Sequence, residues 1–195
     1  MAPGPTVFVL PGWAGADGLA ERLGQERAAA VTILLHDRAL AAARTIEPVA
    51  VRMAGPQAGR NVQEDLAAAV KQAWPTPGAH GPLIMLWPDL PVWRPAHLAA
   101  ARADLAAGCD LSLGPVFDGG FYLLALARPL PGLFELPPDT WRRPDAMAMT
   151  LALAVKDKIQ AGLLRTERAL RTSADVAATL ADPLLDGELR ELLVD

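Results

Sequence analysis

With 195 residues, 52% of them hydrophobic, the chain is long enough to form one globular domain, over residues 1–195, around a single core. Eighteen Lys and Arg residues against 22 Asp and Glu residues give a net charge of -4, which argues against nucleic acid or an anionic membrane as partner. One cysteine excludes an intrachain disulfide and favours a cytoplasmic location.

The first residues, "MAPGPTVFVLPGWAG", have no basic residue before their apolar run, and that run is far shorter than the ~18 residues of a membrane span. We therefore expect a first strand there rather than a signal peptide. Further apolar runs alternate with Ala- and Leu-rich segments at helical spacing. The predicted strands are TVFVL (6–10), PVAVRM (48–53), PLIMLW (82–87), CDLSLGPV (109–116), FYLLALA (121–127) and LLRTERAL (163–170).

The predicted helices cover residues 19–45, 62–74, 95–107, 145–161 and 174–180. This alternation is typical of βα units. It predicts a single α/β domain with a mostly parallel twisted sheet, helices on both faces, and one antiparallel strand near the turn at residues 118–120.

The stretch "LPGWAGADGLAERLG" follows the first strand, with Gly12, Gly15 and Gly18 spaced by three residues. Such glycines let backbone N–H groups approach a phosphate at a helix N-terminus. The stretch is neither G-x-G-x-x-G nor a P-loop. It is compatible with nucleotide binding and equally with a plain strand-to-helix turn, and Arg22 is its only basic residue.

Two carboxylates follow apolar strands. Asp89 comes after "LIMLW", at the sheet edge where ligands of open α/β folds bind, so it is either a Mg²⁺ or Mn²⁺ ligand or part of a turn. Asp118 lies in "FDGG", which is a strong hairpin signal and also a possible site carboxylate. No G-x-S-x-G elbow of a hydrolase is present.

Several segments in chain order resemble a bacterial family of GT-A-type glycosyltransferase-like proteins, distant relatives of the nucleotidyltransferases for deazaflavin and molybdopterin cofactors. The segments that carry the resemblance are "LGQERAAAVTILLHDRALAA", "WPDLP", "LGPVFDGGFYLLALARP", Trp141 and "TSADVA". The resemblance implies a Rossmann-like, nucleotide-diphospho-sugar transferase type of fold. It also implies a small nucleotide or nucleotide sugar as the binding partner.

The resemblance also implies roles for individual residues. Asp118 would be catalytic at the acceptor side, and Asp89 would bind a metal, Mg²⁺ or Mn²⁺. The residues implied in nucleotide binding are Pro11, Gly12, Gly15 and Arg22. The residues implied in substrate binding are Gly114, Gly119, Gly120, Trp141 and Arg142.

The chain departs from the family pattern at two places. No basic residue precedes Arg22, whereas the family has a loop of the type "KxPxxGxxKTRL". Near the C-terminus, Ala169 and Arg171 replace two acids of the family's Asp-x-Asp-Thr-Pro-x-Asp motif, and only Asp175 is retained. We therefore expect weak or absent metal binding. If the Arg171 guanidinium points into the cleft, it either pairs with Asp89 or substitutes its own charge for the missing cation.

Two functions are consistent with these features. The first is glycosyl or nucleotidyl transfer from a nucleotide or nucleotide-sugar donor. The alternative is a catalytically degenerate relative that binds a ligand or protein partner without turnover. We also predict that Asp89, Asp118 and Gly12 converge on one cleft at the carboxyl edge of the sheet, because each follows or precedes a strand that should run into that edge.

Overall fold

A computed structural model describes residues 5–10, 17–46, 50–53, 62–74, 81–137 and 140–194. The described residues form a six-stranded sheet in the order β2-β1-β3-β5-β4-β6, with helices packed on both faces. The strands are β1 (Thr6–Val9), β2 (Ala50–Met53), β3 (Leu83–Leu86), β4 (Leu111–Pro115), β5 (Phe121–Leu126) and β6 (Ala161–Leu163).

Of these six strands, β5 alone runs antiparallel to its neighbours, β3 and β4. The pairs β1–β2, β1–β3 and β4–β6 are parallel. The predicted α/β fold, with one antiparallel strand at the Asp-Gly-Gly turn, is confirmed. As a result the C-terminal ends of β3 and β4 and the start of β5 lie at one edge, which we call the carboxyl edge.

The helices are α1 (Asp17–Leu23), α2 (Gln25–Ala43), α3 (Val62–Ala73), α4 (Pro95–Ala106), α5 (Pro131–Phe134), α6 (Ala146–Lys156), α7 (Ser173–Leu180) and α8 (Gly187–Leu193). A short 3-10 turn covers Thr140–Arg142. Within the described ranges, no helix combines the length and the apolar character needed to cross a bilayer.

Side chains that alternate along the strands enter two cores. On one face, Val7, Ile84 and Leu123 pack with residues of α2 and α4. On the other, Met85 and Leu124 pack with residues of α3, α5 and α6. Both central strands, β3 and β5, are buried along their whole length, which explains their continuous apolar sequences.

The structure corrects the predicted helix over residues 19–45, which is two helices joined at Gly24. Gly24 has φ 78, a left-handed conformation that interrupts the helix and that glycine adopts without strain. The break lets α1 pack against α7 while α2 packs against α8 and β1.

Two other elements end more than two residues from their predicted ends. The helix predicted to reach residue 161 ends at Lys156, because Lys158 turns with φ 55. The sixth strand, predicted over residues 163–170, occupies Ala161–Leu163. Residues 164–170 continue along the end of β4 through separate contacts, in which Glu167 donates its N–H to Pro115 O and accepts from Phe117 N–H.

A buried aromatic cluster lies beside this segment. The His97 ring contacts the rings of Trp93 and Tyr122, and its Nε2 lies 3.3 Å from Oε1 of Glu167. Because Arg94 donates its backbone N–H to His97 Nδ1, Nε2 carries the proton of the neutral ring and donates to Glu167. Burial lowers the pKa of His97 below its usual value. The hydrogen bond and the negative charge of Glu167 raise this pKa, but by less than burial lowers it.

We expect His97 to make the fold less stable in mild acid. Its folded-state pKa lies below the ~6.5 of an unfolded chain, so the unfolded state binds the proton more tightly. The free energy of unfolding should therefore fall as the pH drops below about 6.5. Urea unfolding between pH 7.5 and 5.5 measures this loss, and His97→Gln should reduce it. If the free energy of unfolding falls with pH equally in the wild type and in His97→Gln, His97 is not the source of the loss.

Candidate functional site at the carboxyl edge

Asp89 lies just past the end of β3, where the chain leaves the sheet. Its backbone carbonyl accepts the N–H of Leu170 at 2.8 Å, which ties the end of β3 to the segment before α7. The Asp89 side chain is only 9% exposed, and its Oδ1 is buried without a hydrogen-bond partner. A carboxylate in this position needs a positive group at its other oxygen.

Asp118 lies in the tight turn that joins β4 to β5. Gly119 donates its N–H to Val116 O at 3.0 Å, and Val116 donates to Gly120 O at the same distance, so the predicted hairpin is present. Gly120 N–H also donates to Asp118 Oδ1 at 3.2 Å. The turn therefore holds the carboxylate at the carboxyl edge, with 51% of the side chain still exposed.

Arg171 joins the two carboxylates. Its Nε donates to Asp89 Oδ2 at 2.5 Å and its Nη1 donates to Asp118 Oδ2 at 2.6 Å. Helix α7 positions the residue: Thr172 and Asp175 form a capping box at its start, and Asp175 also accepts the backbone N–H of Arg171. The predicted pairing of Arg171 with Asp89 is confirmed, as is the convergence of Asp89 and Asp118.

We call Asp89, Arg171 and Asp118 the edge triad. Burial lowers the pKa of Arg171, but the charges of Asp89 and Asp118 outweigh it and hold the pKa above its usual value. One guanidinium faces two carboxylates, so the triad has a net charge of -1. Both side chains of the Arg171–Asp89 ion pair are buried, whereas the carboxylate of Asp118 is half exposed.

The donor set of the edge triad does not fit a divalent cation. The Arg171 guanidinium already donates a hydrogen bond to one oxygen of each carboxylate, and its positive charge would repel a cation between them. Among the residues that the structure describes, no three His, Cys, Asp or Glu side chains are grouped to hold a metal. Mg²⁺ and Mn²⁺ prefer several oxygen ligands, so the predicted metal role of Asp89 finds no support in this geometry.

The predicted nucleotide loop lies only partly within the described residues. Pro11, Gly12 and Gly15 lie outside the described residues. Gly18, at the start of α1, lies against Arg171, because a Cβ there would come within 2.8 Å of the Arg171 carbonyl oxygen. Arg22 is exposed in the last turn of the same helix.

The predicted substrate-binding residues separate into two groups. Gly120 belongs to the site, because a Cβ at this position would lie 3.3 Å from Arg171 Nη1. Gly119 lies beside it but faces the start of α6, where a Cβ would overlap the Pro144 carbonyl oxygen. The absence of a side chain at both glycines therefore lets the turn lie close to Arg171 and to Pro144.

Two other predicted substrate-binding residues, Gly114 and Trp141, are buried. Gly114 is packed against the ring of Tyr122, which leaves no room for a Cβ, and Trp141 is buried against Phe121. The structure thus places these two in the core rather than at an open surface. The backbone of Arg142 belongs to the 3-10 turn, and its side chain lies outside the described residues.

Two residues near the triad were not predicted from the sequence. Phe117 is 68% exposed at the hairpin tip, and the Arg168 guanidinium lies 5.3 Å from the centre of its ring. Arg168 also pairs with Asp175 at 3.1 Å. An apolar residue directly before Asp-Gly, at a turn position that is usually polar, is the sequence signal that could have identified Phe117.

Comparisons with known proteins agree with this fold. Residues 19–138 match the family described as an uncharacterized protein conserved in bacteria (DUF2064). Comparison with curated proteins gives no match. Among solved structures, a proposed nucleotide-diphospho-sugar transferase from Desulfovibrio desulfuricans G20 is similar with a TM-score of 0.80 and 17% identity, over 99% of this chain and 94% of that chain.

Rv0371c from Mycobacterium tuberculosis H37Rv gives a TM-score of 0.48 with 14% identity, over 91% of this chain and 97% of that chain. The same TM-score and identity apply to the structure of Rv0371c in complex with manganese, with 91% and 98% coverage. The similarity to the Desulfovibrio protein identifies the architecture as a nucleotide-sugar transferase-like α/β fold.

Proposed function

The chain belongs to the DUF2064 family of bacterial proteins, and within it we propose that this protein is a transferase that binds a nucleotide or nucleotide sugar at the carboxyl edge. The observation that carries the proposal is Arg171, a buried guanidinium held between two carboxylates at that edge. Open α/β sheets bind their ligands at this edge, and guanidinium groups bind phosphate oxygens well.

Arg171 would serve the donor as a fixed positive charge in place of a divalent cation. The buried contact with Asp89 holds the guanidinium in position, so little reorganisation is needed when charge develops on a leaving phosphate. Asp118 is the exchangeable partner, because its side chain is half exposed and lies on a turn. A phosphate oxygen of the donor would replace Asp118 at Nη1.

This exchange would also release Asp118 as a base. In glycosyl transfer, the acceptor hydroxyl oxygen forms the new bond to the sugar's anomeric carbon while the bond from that carbon to the diphosphate oxygen breaks. The hydroxyl proton passes to the released Asp118 carboxylate, and the diphosphate leaves with its charge offset by Arg171. In nucleotidyl transfer, the acceptor hydroxyl oxygen would form a bond to the α-phosphorus of a nucleoside triphosphate while the bond from that phosphorus to the pyrophosphate oxygen breaks. Asp118 would accept the hydroxyl proton, and pyrophosphate would leave with its charge offset by Arg171.

One observation favours the alternative function, ligand binding without turnover. In the edge triad both carboxylates are engaged by Arg171, so neither acts as a free base until a ligand intervenes. Binding and turnover must therefore be measured separately.

The test is a thermal-shift panel of nucleoside diphosphates, nucleoside triphosphates and nucleotide sugars, each with and without Mn²⁺. A ligand at 100 times its Kd should add about 2.7 kcal/mol of stability. We expect stabilisation by at least one diphosphate-containing ligand, with no added effect of Mn²⁺.

Isothermal titration with Mn²⁺ alone should show weak or no binding to the wild type and some affinity in Arg171→Asp, which restores a carboxylate.

Asp118→Asn separates the two functions. Removing the internal anion should tighten binding of the diphosphate ligand, because the phosphate no longer competes with a carboxylate for Arg171. If the protein is a transferase, the same variant should lose turnover because the base is gone. Asp37→Asn, at an exposed position on α2, removes the same charge and should leave both unchanged. Binding that requires Mn²⁺, or that weakens in Asp118→Asn, would contradict the proposal.

A further inference from the structure

A pocket lies beside the segment that leads to Arg171. It has a volume of about 230 Å³, is open to solvent, and is lined by the loop after Asp89, residues 165–168 and the C-terminal half of α7. Its apolar walls include Leu90 and Leu185. Pockets for drug-sized ligands are larger, roughly 300–1,000 Å³, so this one suits a compact group.

Three arginines line this pocket: Arg94, Arg165 and Arg168. Two carboxylates, Glu167 and Asp182, also line it, which leaves one excess positive charge among the lining residues. Convergent guanidinium groups in a concave site are a typical arrangement for binding phosphate or carboxylate.

The carboxylates already have partners. Glu167 interacts with His97 Nε2 at 3.3 Å and with Arg165 Nε at 3.4 Å. Asp182 accepts the backbone N–H of Leu184 at 2.9 Å, within its own turn. Arg168 pairs with Asp175, which caps α7 outside the pocket lining.

Arg94 is different, because it forms no ion pair with any other described residue. Its position at the start of α4 is maintained by its backbone N–H, which donates to His97 Nδ1. Arg94 is exposed and lines the pocket, so its side chain is available to a ligand.

We propose that this pocket is a second binding site, for the oxyanion group of a small molecule, and that Arg94 is its principal cation. Arg165 is the second cation, since its contact with Glu167 is long and its side chain is mostly exposed. The chemistry is that of a compact phosphate or carboxylate, which two guanidinium groups bind through charge-assisted hydrogen bonds. The site is separate from the edge triad and does not depend on the proposed transferase activity.

The probes are inorganic phosphate and succinate, titrated calorimetrically into the full-length protein at constant ionic strength. We expect saturable binding of at least one of them, and the comparison shows whether the pocket prefers phosphate or carboxylate. Arg94→Gln should weaken this binding by about tenfold, the value of one charge-assisted hydrogen bond. Arg165→Gln should weaken it less.

Arg102→Gln is the matched control, because Arg102 is exposed on α4 and its removal changes the net charge by the same amount. Its affinity for the probes should equal that of the wild type. In Arg171→Lys, which changes the edge triad, the binding that Arg94→Gln weakens should remain.

Three results would overturn the proposal. The first is no saturable binding of either probe, and the second is equal weakening in Arg94→Gln and Arg102→Gln. The third is loss of binding in Arg171→Lys together with unchanged binding in Arg94→Gln. The last result would place the anion at the edge triad and would favour the proposed function while refuting the second site.

Discussion

Replacing Arg171 with glutamine should lower the free energy of unfolding by about 3–5 kcal/mol, the usual cost of removing one partner of a buried ion pair. The variant leaves the buried Asp89 carboxylate without its cation, and Asp89 Oδ1 already lacks a hydrogen-bond partner. Most of the loss comes from Asp89, since Asp118 can turn toward water. Guanidinium chloride unfolding, followed by circular dichroism, measures the change.

A double variant identifies the cause. Asp89→Asn added to Arg171→Gln removes the unpaired charge and should recover part of the lost stability. Arg102→Gln, an exposed change of the same type, should alter stability by less than about 0.5 kcal/mol. If the double variant is less stable than Arg171→Gln alone, the unpaired carboxylate is not the source of the loss.

Gly119→Ala should also be severely destabilising, by about 3 kcal/mol or more, because steric overlap and an unfavourable backbone angle act together. Gly119 has φ +91, and a Cβ there would lie 1.7 Å from the Pro144 carbonyl oxygen. That oxygen belongs to backbone, so the overlap can be relieved only by moving the hairpin tip or the start of α6. The Gly119 carbonyl, which accepts the N–H of Met147, would move as well.

Gly187→Ala is the control for this variant. Gly187 begins α8, and a Cβ added there meets no atom within 4 Å. Alanine is the better helix former, so we expect unchanged or slightly higher stability. Chemical unfolding compares the two variants. A Gly119→Ala protein as stable as the wild type would mean that the turn does not require this conformation.

The carboxyl edge could be predicted from the sequence because its determinants are local. The apolar run before Asp89 identifies a buried strand, and Asp118-Gly119 identifies a hairpin. A hairpin reverses the chain, so β5 had to start where β4 ends. The pairing of Arg171 with Asp89 required more, namely the resemblance, which places Arg171 where the family carries an acid.

The features that the sequence does not show depend on tertiary packing. The pattern over residues 19–45 is continuously helical, and only the need for α1 to pack on α7 explains a left-handed residue at Gly24. Gly114 and Trp141 belong to the motif of the resemblance, yet the motif does not distinguish a glycine that accommodates Tyr122 from one that contacts a ligand. Arg94 and Arg165, 71 positions apart, meet only in the folded chain.

The distance along the chain between Asp89 and Arg171 has a consequence for biosynthesis. Their contact spans 82 residues, and a ribosome that adds 5–20 residues per second needs roughly 4–16 s to cover that length. Throughout this interval the nascent chain contains the strand end with its carboxylate but not the guanidinium that neutralises it. We therefore expect the nascent sheet to keep its carboxyl edge hydrated until Arg171 leaves the exit tunnel, so that the binding site is completed only then.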